Sequence, residues 1–393
     1  MNYLVTMSGG TTQVINSTLA GVVSGINCIK PDVDIFVPKN GIYGLFSNDI
    51  YKFKKDSPIE DLSLLPGSSI TGTSRIKMLD DSDVLIIQEK LEELNISVWI
   101  NIGGSGTIKQ SKFLSEKLKN IQFIALPKTI DNDLGDEDFN TLLFTPGYLS
   151  TIKYIKAHVN SLIRENEGAC SHDNIIISQV FGRDTSHIAA IASLVENPLR
   201  LLILFPEKPV HWNDFREMIQ LKVKKFGGCV IIVPEGYSFL SDELDNEIIE
   251  VKDHSGQTMW GSSSNSISQI ISNKINSEGV FQSRICNTTI EQRQNPGYLD
   301  RNDIDIAFDI GQSAIMFDRS DDFFMTIKLT GIYAIPINSI DLDKFNRKFP
   351  EKWIGCYTTT EDYKKYISSL PIGELIRGKD YIDSSVYLEK YEN

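Results

Sequence analysis

Short apolar runs alternate along this chain with longer stretches of helical period. Tyr3-Leu4-Val5-Thr6-Met7 is followed by Gln13–Ile26, where Val14, Thr18, Leu19, Val22 and Ile26 fall on one face of a 3.6-residue repeat. That is a strand followed by a helix. Similar runs recur at Val33–Val37, Val98–Ile102, Gln122–Leu126, Asn174–Val180, Leu201–Phe205 and Cys229–Val233. Several are apolar throughout rather than alternating, the pattern of strands with both faces covered. The order predicts an α/β fold with mainly parallel, helix-covered sheets.

At 393 residues and 41% hydrophobic content, the chain can bury enough surface for two domains. No repeat of 20 to 50 residues and no Pro/Gly/Ser linker separates modules, so the domains are expected to interleave. Ser238–Ser272, with Asp242, Glu243, Asp245, Glu247 and Glu250 ahead of Trp260-Gly261-Ser262, reads as a surface excursion.

Charge narrows the function. With 39 Lys and Arg against 52 Asp and Glu, the formal charge is -13, so no overall basic field draws nucleic acid or an anionic membrane, and any phosphate site must be local. The five cysteines (Cys28, Cys170, Cys229, Cys286, Cys356) are scattered without metal-ligand spacing, which predicts reduced thiols. The first residues run directly into a glycine turn without the n-region and h-region of a secretory signal, and no apolar stretch approaches the ~20 residues of a membrane span. The expected location is cytoplasmic.

Two turns are candidates for phosphate. Met7-Ser8-Gly9-Gly10-Thr11-Thr12 joins a strand to a helix, where glycines let an anion approach the backbone and helix amides point at it. A packing turn has the same appearance. Asn101-Ile102-Gly103-Gly104-Ser105-Gly106-Thr107 repeats the arrangement before a predicted helix over 107–118; Lys109 is misplaced for a Walker A loop and the dinucleotide fingerprint is absent. After the Gln122–Leu126 strand, Pro127-Lys128-Thr129-Ile130-Asp131-Asn132-Asp133 places two carboxylates at a strand's carboxyl end, where open α/β sheets bind ligands. They suit a base for hydroxyl deprotonation in phosphoryl transfer, or the capping of an Asx turn.

Taken in order, these segments resemble the phosphofructokinase family. The likeness continues through Val180-Phe181-Gly182-Arg183, Val233-Pro234-Glu235-Gly236, Gln292-Arg293 and Asp300-Arg301, covering residues 1 to 330. The resemblance implies two interleaved Rossmann-like three-layer α/β/α domains, 1–142 plus 292–342 for the phosphoryl donor and 143–291 plus 343–393 for the acceptor. It implies Asp131 as general base, Thr129 and Asp133 as its orienting partners, and Lys128 and Arg183 facing the transferring phosphoryl group. Gly10, Arg75, Gly104, Ser105, Gly106 and Thr107 would line the donor site. Phe181, Gly182, Glu235, Arg284 and Arg293 would hold the acceptor, a sugar phosphate, with one arginine coming from a neighbouring subunit of a homodimer or homotetramer. The implied cofactor is Mg2+, with ATP or pyrophosphate as donor.

Several positions depart from the family. Ser105 replaces an aspartate that helps hold magnesium, leaving Asp131 and Asp133 as the possible metal ligands. Gly106 is typical of ATP users and Lys128 of pyrophosphate users, so the donor stays open between them. Asn174 replaces an arginine and Ile290 a histidine of the acceptor site, and Gln294 and Asn295 replace glycines, which is expected to narrow the pocket or stiffen its wall. These changes put fructose 6-phosphate in question and keep a second reading, a non-catalytic ligand-binding homologue. A kinase of a nucleotide cofactor shares the glycine turn but lacks Thr129-Ile130-Asp131-Asn132-Asp133. The last ~60 residues, from Tyr333 on, carry no legible constellation.

Overall fold

A computed structural model describes residues 2–67, 70–75, 79–169, 174–240, 266–317 and 321–392. Cys170 and most of the acidic excursion fall outside them. Eight strands form one sheet: β1 (Asn2–Met7), β2 (Ile35–Pro38), β3 (Ile50–Phe53), β4 (Ile96–Gly103), β5 (Gln122–Pro127), β11 (Phe323–Lys328), β12 (Gly331–Pro336) and β14 (Leu388–Lys390). Their order is β12-β11-β5-β4-β1-β2-β3-β14. The centre is parallel, from β11 through β5, β4 and β1 to β2, while β12, β3 and β14 join antiparallel towards the edges. A second sheet, β7 (Leu201–Ile203), β8 (Cys229–Pro234), β6 (Ile175–Val180) and β9 (Ser283–Ile285), is parallel throughout. A short pair, β10 (Leu299–Asp300) with β13 (Leu375–Ile376), stands apart.

The unbroken apolar strands are explained by this layering. In β6, Ile176 belongs to the core shared with the large sheet, while Ile175 and Ile177 pack on the opposite face with Trp212, Phe215 and Ile271. Both faces are covered, so no position can be polar without a partner. The helix Ile15–Ile29 buries the predicted stripe of Leu19, Val22 and Ile26. It crosses the helix Arg301–Met316 closely, because Gly21 and Gly311 leave no side chain between their backbones.

The 22-residue helix Tyr148–Ala169 contacts β6 and β8 of the second sheet and the Arg301–Met316 helix. Its first turn is capped by Asp303, whose carboxylate accepts from the amides of Gly147 and Ser150 at 2.9 Å each. No helix among the described residues is long and apolar enough to cross a membrane. Cys28, Cys229 and Cys356 are free thiols.

The C-terminal segment meets both sheets. The Tyr357 carbonyl accepts from the Ile203 amide at 3.0 Å, and Thr359 bonds Ser193 at 2.6 Å, both on the side of the second sheet. β14 then pairs with β3 on the edge of the large sheet.

Candidate active site

The two glycine turns lie side by side because β1 and β4 are neighbours in the sheet. Gly9 takes a left-handed φ of 78°, and its amide donates to the Ser74 carbonyl at 3.0 Å, which brings Arg75 to the turn. In the second turn the helix runs Ser105–Lys117 with Gly104 as an N-cap that supplies no side-chain acceptor. Its first amides are therefore available to an anion. Ser8 and Thr107 share a hydrogen bond that ties the turns together. Above Gly106 the space is open among the described residues, none of which has an atom within 4 Å of where a Cβ would stand.

Lys128 sits beneath these turns rather than among the cleft-lining residues. The residue is 2% exposed, and its ammonium donates to the carbonyls of Ser8, at 2.9 Å, and Gly10. Burial, with Arg293 adding repulsion, lowers its pKa to about 7. The family resemblance implied that it faces the transferring phosphoryl group; here the amine donates to two carbonyls of the first turn.

At the end of β5, Asn132 adopts φ 53°, a left-handed conformation that Asn tolerates better than most side chains. Its carboxamide is fully used, accepting from the Thr145 amide at 3.0 Å and donating to the Tyr366 hydroxyl at 2.9 Å. Asp131 and Asp133 on either side both face the cleft. The Thr129 hydroxyl donates to Asp131 Oδ2 at 3.2 Å and accepts from the Asp131 amide at 3.1 Å. Burial pushes the Asp131 carboxyl up, opposed by Thr129 and by Arg293, Arg183 and Lys128. Burial, then the charge of Asp131, pushes Asp133 up to about 7. Two partly desolvated carboxylates that repel each other are a fitting seat for a hard divalent cation.

Across the cleft, Gly182 takes φ 131° and Gly236 passes over the Arg183 backbone, so that Arg183 Nε stands 3.8 Å from Glu235 Oε1. Burial and the charge of Asp131 push Glu235 up to about 7. The Arg293 guanidinium lies 4.9 Å over the Phe181 ring, and Nη1 would be 2.6 Å from a Cβ on Gly10. Burial first, then Arg75, lowers the Arg293 pKa. An arginine so placed spans the sites assigned separately to donor and acceptor.

The structure brings Gly10, Arg75, Gly104, Ser105, Gly106, Thr107, Thr129, Asp131, Asp133, Phe181, Gly182, Arg183, Glu235 and Arg293 around one cleft of about 990 Å³. Arg284 is not among them; it is half-exposed on β9, 4.0 Å from Glu165. Asn174 lies at the start of β6, its carbonyl accepting from Asn166 and from the Cys229 amide. Ile290 does border the cleft. Gln294 and Asn295 do not: Gln294 packs on Gly67 and donates to the Thr11 hydroxyl at 2.8 Å, and Asn295 has an ordinary φ of -77°. The expected narrowing is absent, and Gln294 braces the first glycine turn instead.

Sequence reasoning missed Gln292 as the strut of this wall. Its Oε1 accepts from the Phe181 amide at 3.2 Å, Nε2 donates to the Thr289 carbonyl at 2.9 Å, and its own carbonyl accepts from Gln13 at 2.7 Å. It also missed Ile42, Leu79 and Phe113 on the donor side, and Asn346, Arg347 and Lys348 from the C-terminal segment. No motif marks these. Among the described residues no group of three or more His, Cys, Asp or Glu is disposed to hold a metal ion alone.

Two glycine turns, converging cations and paired carboxylates at strand ends define an α/β protein built to bind phosphorylated small molecules. The Phosphofructokinase family model matches residues 2–316. A probable ATP-dependent 6-phosphofructokinase of Mycoplasma genitalium is 26% identical over 273 residues, 66% of this chain and 79% of that protein. A pyrophosphate–fructose 6-phosphate 1-phosphotransferase of Methylococcus capsulatus is 30% identical over 250 residues, 60% of this chain and 58% of that protein. The crystal structure of a pyrophosphate-dependent phosphofructokinase from Marinobacter aquaeolei superposes with a TM-score of 0.81 at 21% identity, covering 100% of this chain and 98% of that one. The chain belongs to the phosphofructokinase family, and so to the phosphotransferases with an alcohol group as acceptor.

Proposed function

We propose that the protein transfers the terminal phosphoryl group of ATP to a hydroxyl of fructose 6-phosphate, with Asp131 as general base. The observation that carries this reading is the convergence of Asp131, Arg183, Glu235 and Arg293 on the same cleft that the pair of glycine turns lines. A hydroxyl between them meets a base, while the phosphoryl group in transit meets guanidinium groups and backbone amides. Asp131 takes the hydroxyl proton, Arg183 offsets charge on the transferring oxygens, and Glu235 accepts from sugar hydroxyls. Arg293 binds the acceptor phosphate.

Mg2+, when bound, neutralises donor charge, and Asp131 and Asp133 would hold it together with the donor phosphates, since Ser105 offers only a neutral hydroxyl. ATP is favoured over pyrophosphate because the cleft continues past the turns onto Ile42, Leu79 and Phe113, with open space over Gly106. Arg284, half-exposed and outside the lining of its own cleft, fits the contribution of one subunit to its neighbour's acceptor site in a homodimer or homotetramer.

Steady-state assays with fructose 6-phosphate and either donor test this. Turnover with ATP is expected, and Asp131→Asn lowers kcat by about 10²- to 10⁴-fold. Turnover with pyrophosphate alone overturns the donor assignment. An Asp131→Asn enzyme as fast as wild type removes the base, and no turnover with any pair favours the non-catalytic reading.

A further inference from the structure

Beyond residue 316, where the family match ends, the chain returns to the carboxylate turn. Arg347 is only 1% exposed. Its backbone N–H donates to the Asp133 carbonyl at 2.6 Å, its Nε–H to the Asp136 carbonyl at 3.0 Å, and its Nη2 to the Leu142 carbonyl. The guanidinium lies 3.8 Å over the Phe139 ring. It fills space that Gly135, at φ 103°, leaves open, since a Cβ there would lie 2.5 Å from Nη2. The adjacent Asn346 forms a bridge with Leu134. Tyr366 completes the hold, accepting from Asn132 Nδ2 and donating to the Leu143 carbonyl, both at 2.9 Å.

The segment 132–143 is thus pinned at its start, middle and end by two side chains more than 200 positions later in sequence. A buried cation is costly unless its N–H groups are met, and an apolar residue of similar length would pack the site without that cost. Only a planar fork can donate along two directions to carbonyls on different parts of one loop while stacking on an aromatic ring; lysine cannot. Arg347 also borders the cleft beside Asp133, and its Nη1 is buried without a hydrogen-bond partner.

We propose that Arg347, seconded by Tyr366, is a positioning residue for phosphoryl transfer: it fixes the Asp131-Asn132-Asp133 turn so that both carboxylates face the cleft in one geometry. This rests on the function proposed above, so its test has one readout that does not need activity. Hydrogen exchange of the ligand-free protein, followed over 129–145, is expected to accelerate about tenfold or more in Arg347→Lys and in Tyr366→Phe, with the Tyr148–Ala169 helix unchanged. In the same variants kcat is expected to fall by about 10²-fold, the scale of a small misplacement, while KM for both substrates stays within about threefold.

Unchanged exchange in both variants overturns the clamp whatever the activity. Accelerated exchange with kcat within about twofold of wild type overturns the positioning role, as does a fall in kcat matched by an equal rise in KM. If Arg347→Lys does not fold, Tyr366→Phe, which removes one oxygen, carries the same comparison. Inactivity of the wild type with every donor and acceptor counts against the proposed function alone, and exchange still decides the clamp.

Discussion

At Gly10 a side chain would meet Nη1 of Arg293, the far end of a long flexible group rather than backbone. Gly10→Ala should therefore fold almost normally, with a melting temperature within about 2 °C of wild type, because the guanidinium can swing aside. Doing so costs it the place from which it reaches both sites. Losing one charge-assisted contact to phosphate is worth roughly 1.5 kcal/mol or more, so KM for the acceptor, whose phosphate Arg293 binds, should rise about tenfold. Calorimetry beside steady-state kinetics checks this, and a large thermal loss with unchanged KM would make Gly10 a packing residue instead. Residue types and order were enough to gather fourteen positions at one cleft, yet not to say what each touches. Lys128 was legible as a cation near phosphate, but whether its amine meets an anion or two carbonyls depends on the height of the Gly9-Gly10 turn above it. Gln294 was expected to narrow the pocket or stiffen its wall because it replaces glycine; the turn of helix at Glu291–Gln294 aims it at Thr11, and Gln294 itself stays outside the cleft lining.

Among elements, the helices Ile15–Ile29 and Arg301–Met316 approach so closely that a Cβ on Gly21 would overlap the Phe308 carbonyl, and one on Gly311 the Thr18 carbonyl. These are backbone atoms that cannot rotate away. Gly21→Ala, though favourable by helix propensity, should destabilise the protein by roughly 2–3 kcal/mol through overpacking. A lower urea midpoint with an unchanged slope would show it, and a stabilised variant would mean the helices can separate freely. The helix itself was readable from its stripe of Leu19, Val22 and Ile26, whereas its partner's proximity was not, since a glycine in a helix looks like a weakness until the facing glycine is seen. Buried strands such as β4 and β8 were likewise plain from continuous apolar runs. The antiparallel strands β3, β12 and β14 were missed: Tyr51-Lys52 in β3 are only half-buried and β12 is half-buried or exposed throughout, so no continuous buried apolar run marks them.

For the molecule as a whole, residues 343–392 act as a strap that sequence reading could not interpret. Apart from the nine-residue helix Glu361–Ser369, the strap is built from elements too short to show a period, β13 and β14 being two and three residues long, and its contacts with the rest of the molecule are with partners far away in sequence. It touches the second sheet at Tyr357, the carboxylate turn at Arg347 and Tyr366, and the large sheet through β14. Its last part can be separated from the site, because no described residue after Lys348 and none of β3 borders the main cleft. Tyr387 is 1% exposed, its ring edge-on to Phe53, with its carbonyl accepting from the Lys54 amide at 2.7 Å and its hydroxyl donating to the Pro58 carbonyl at 3.2 Å. Deleting residues 384–393 removes that aromatic anchor, whose burial is worth about 3–5 kcal/mol, and bares the β3 edge. An open edge recruits other chains. The truncated protein should melt earlier and aggregate with rising concentration in light scattering, while kcat and KM of the folded fraction stay at wild-type values. A truncation that melts normally but loses kcat would instead extend the strap's control of the turn from Arg347 to the end of the chain.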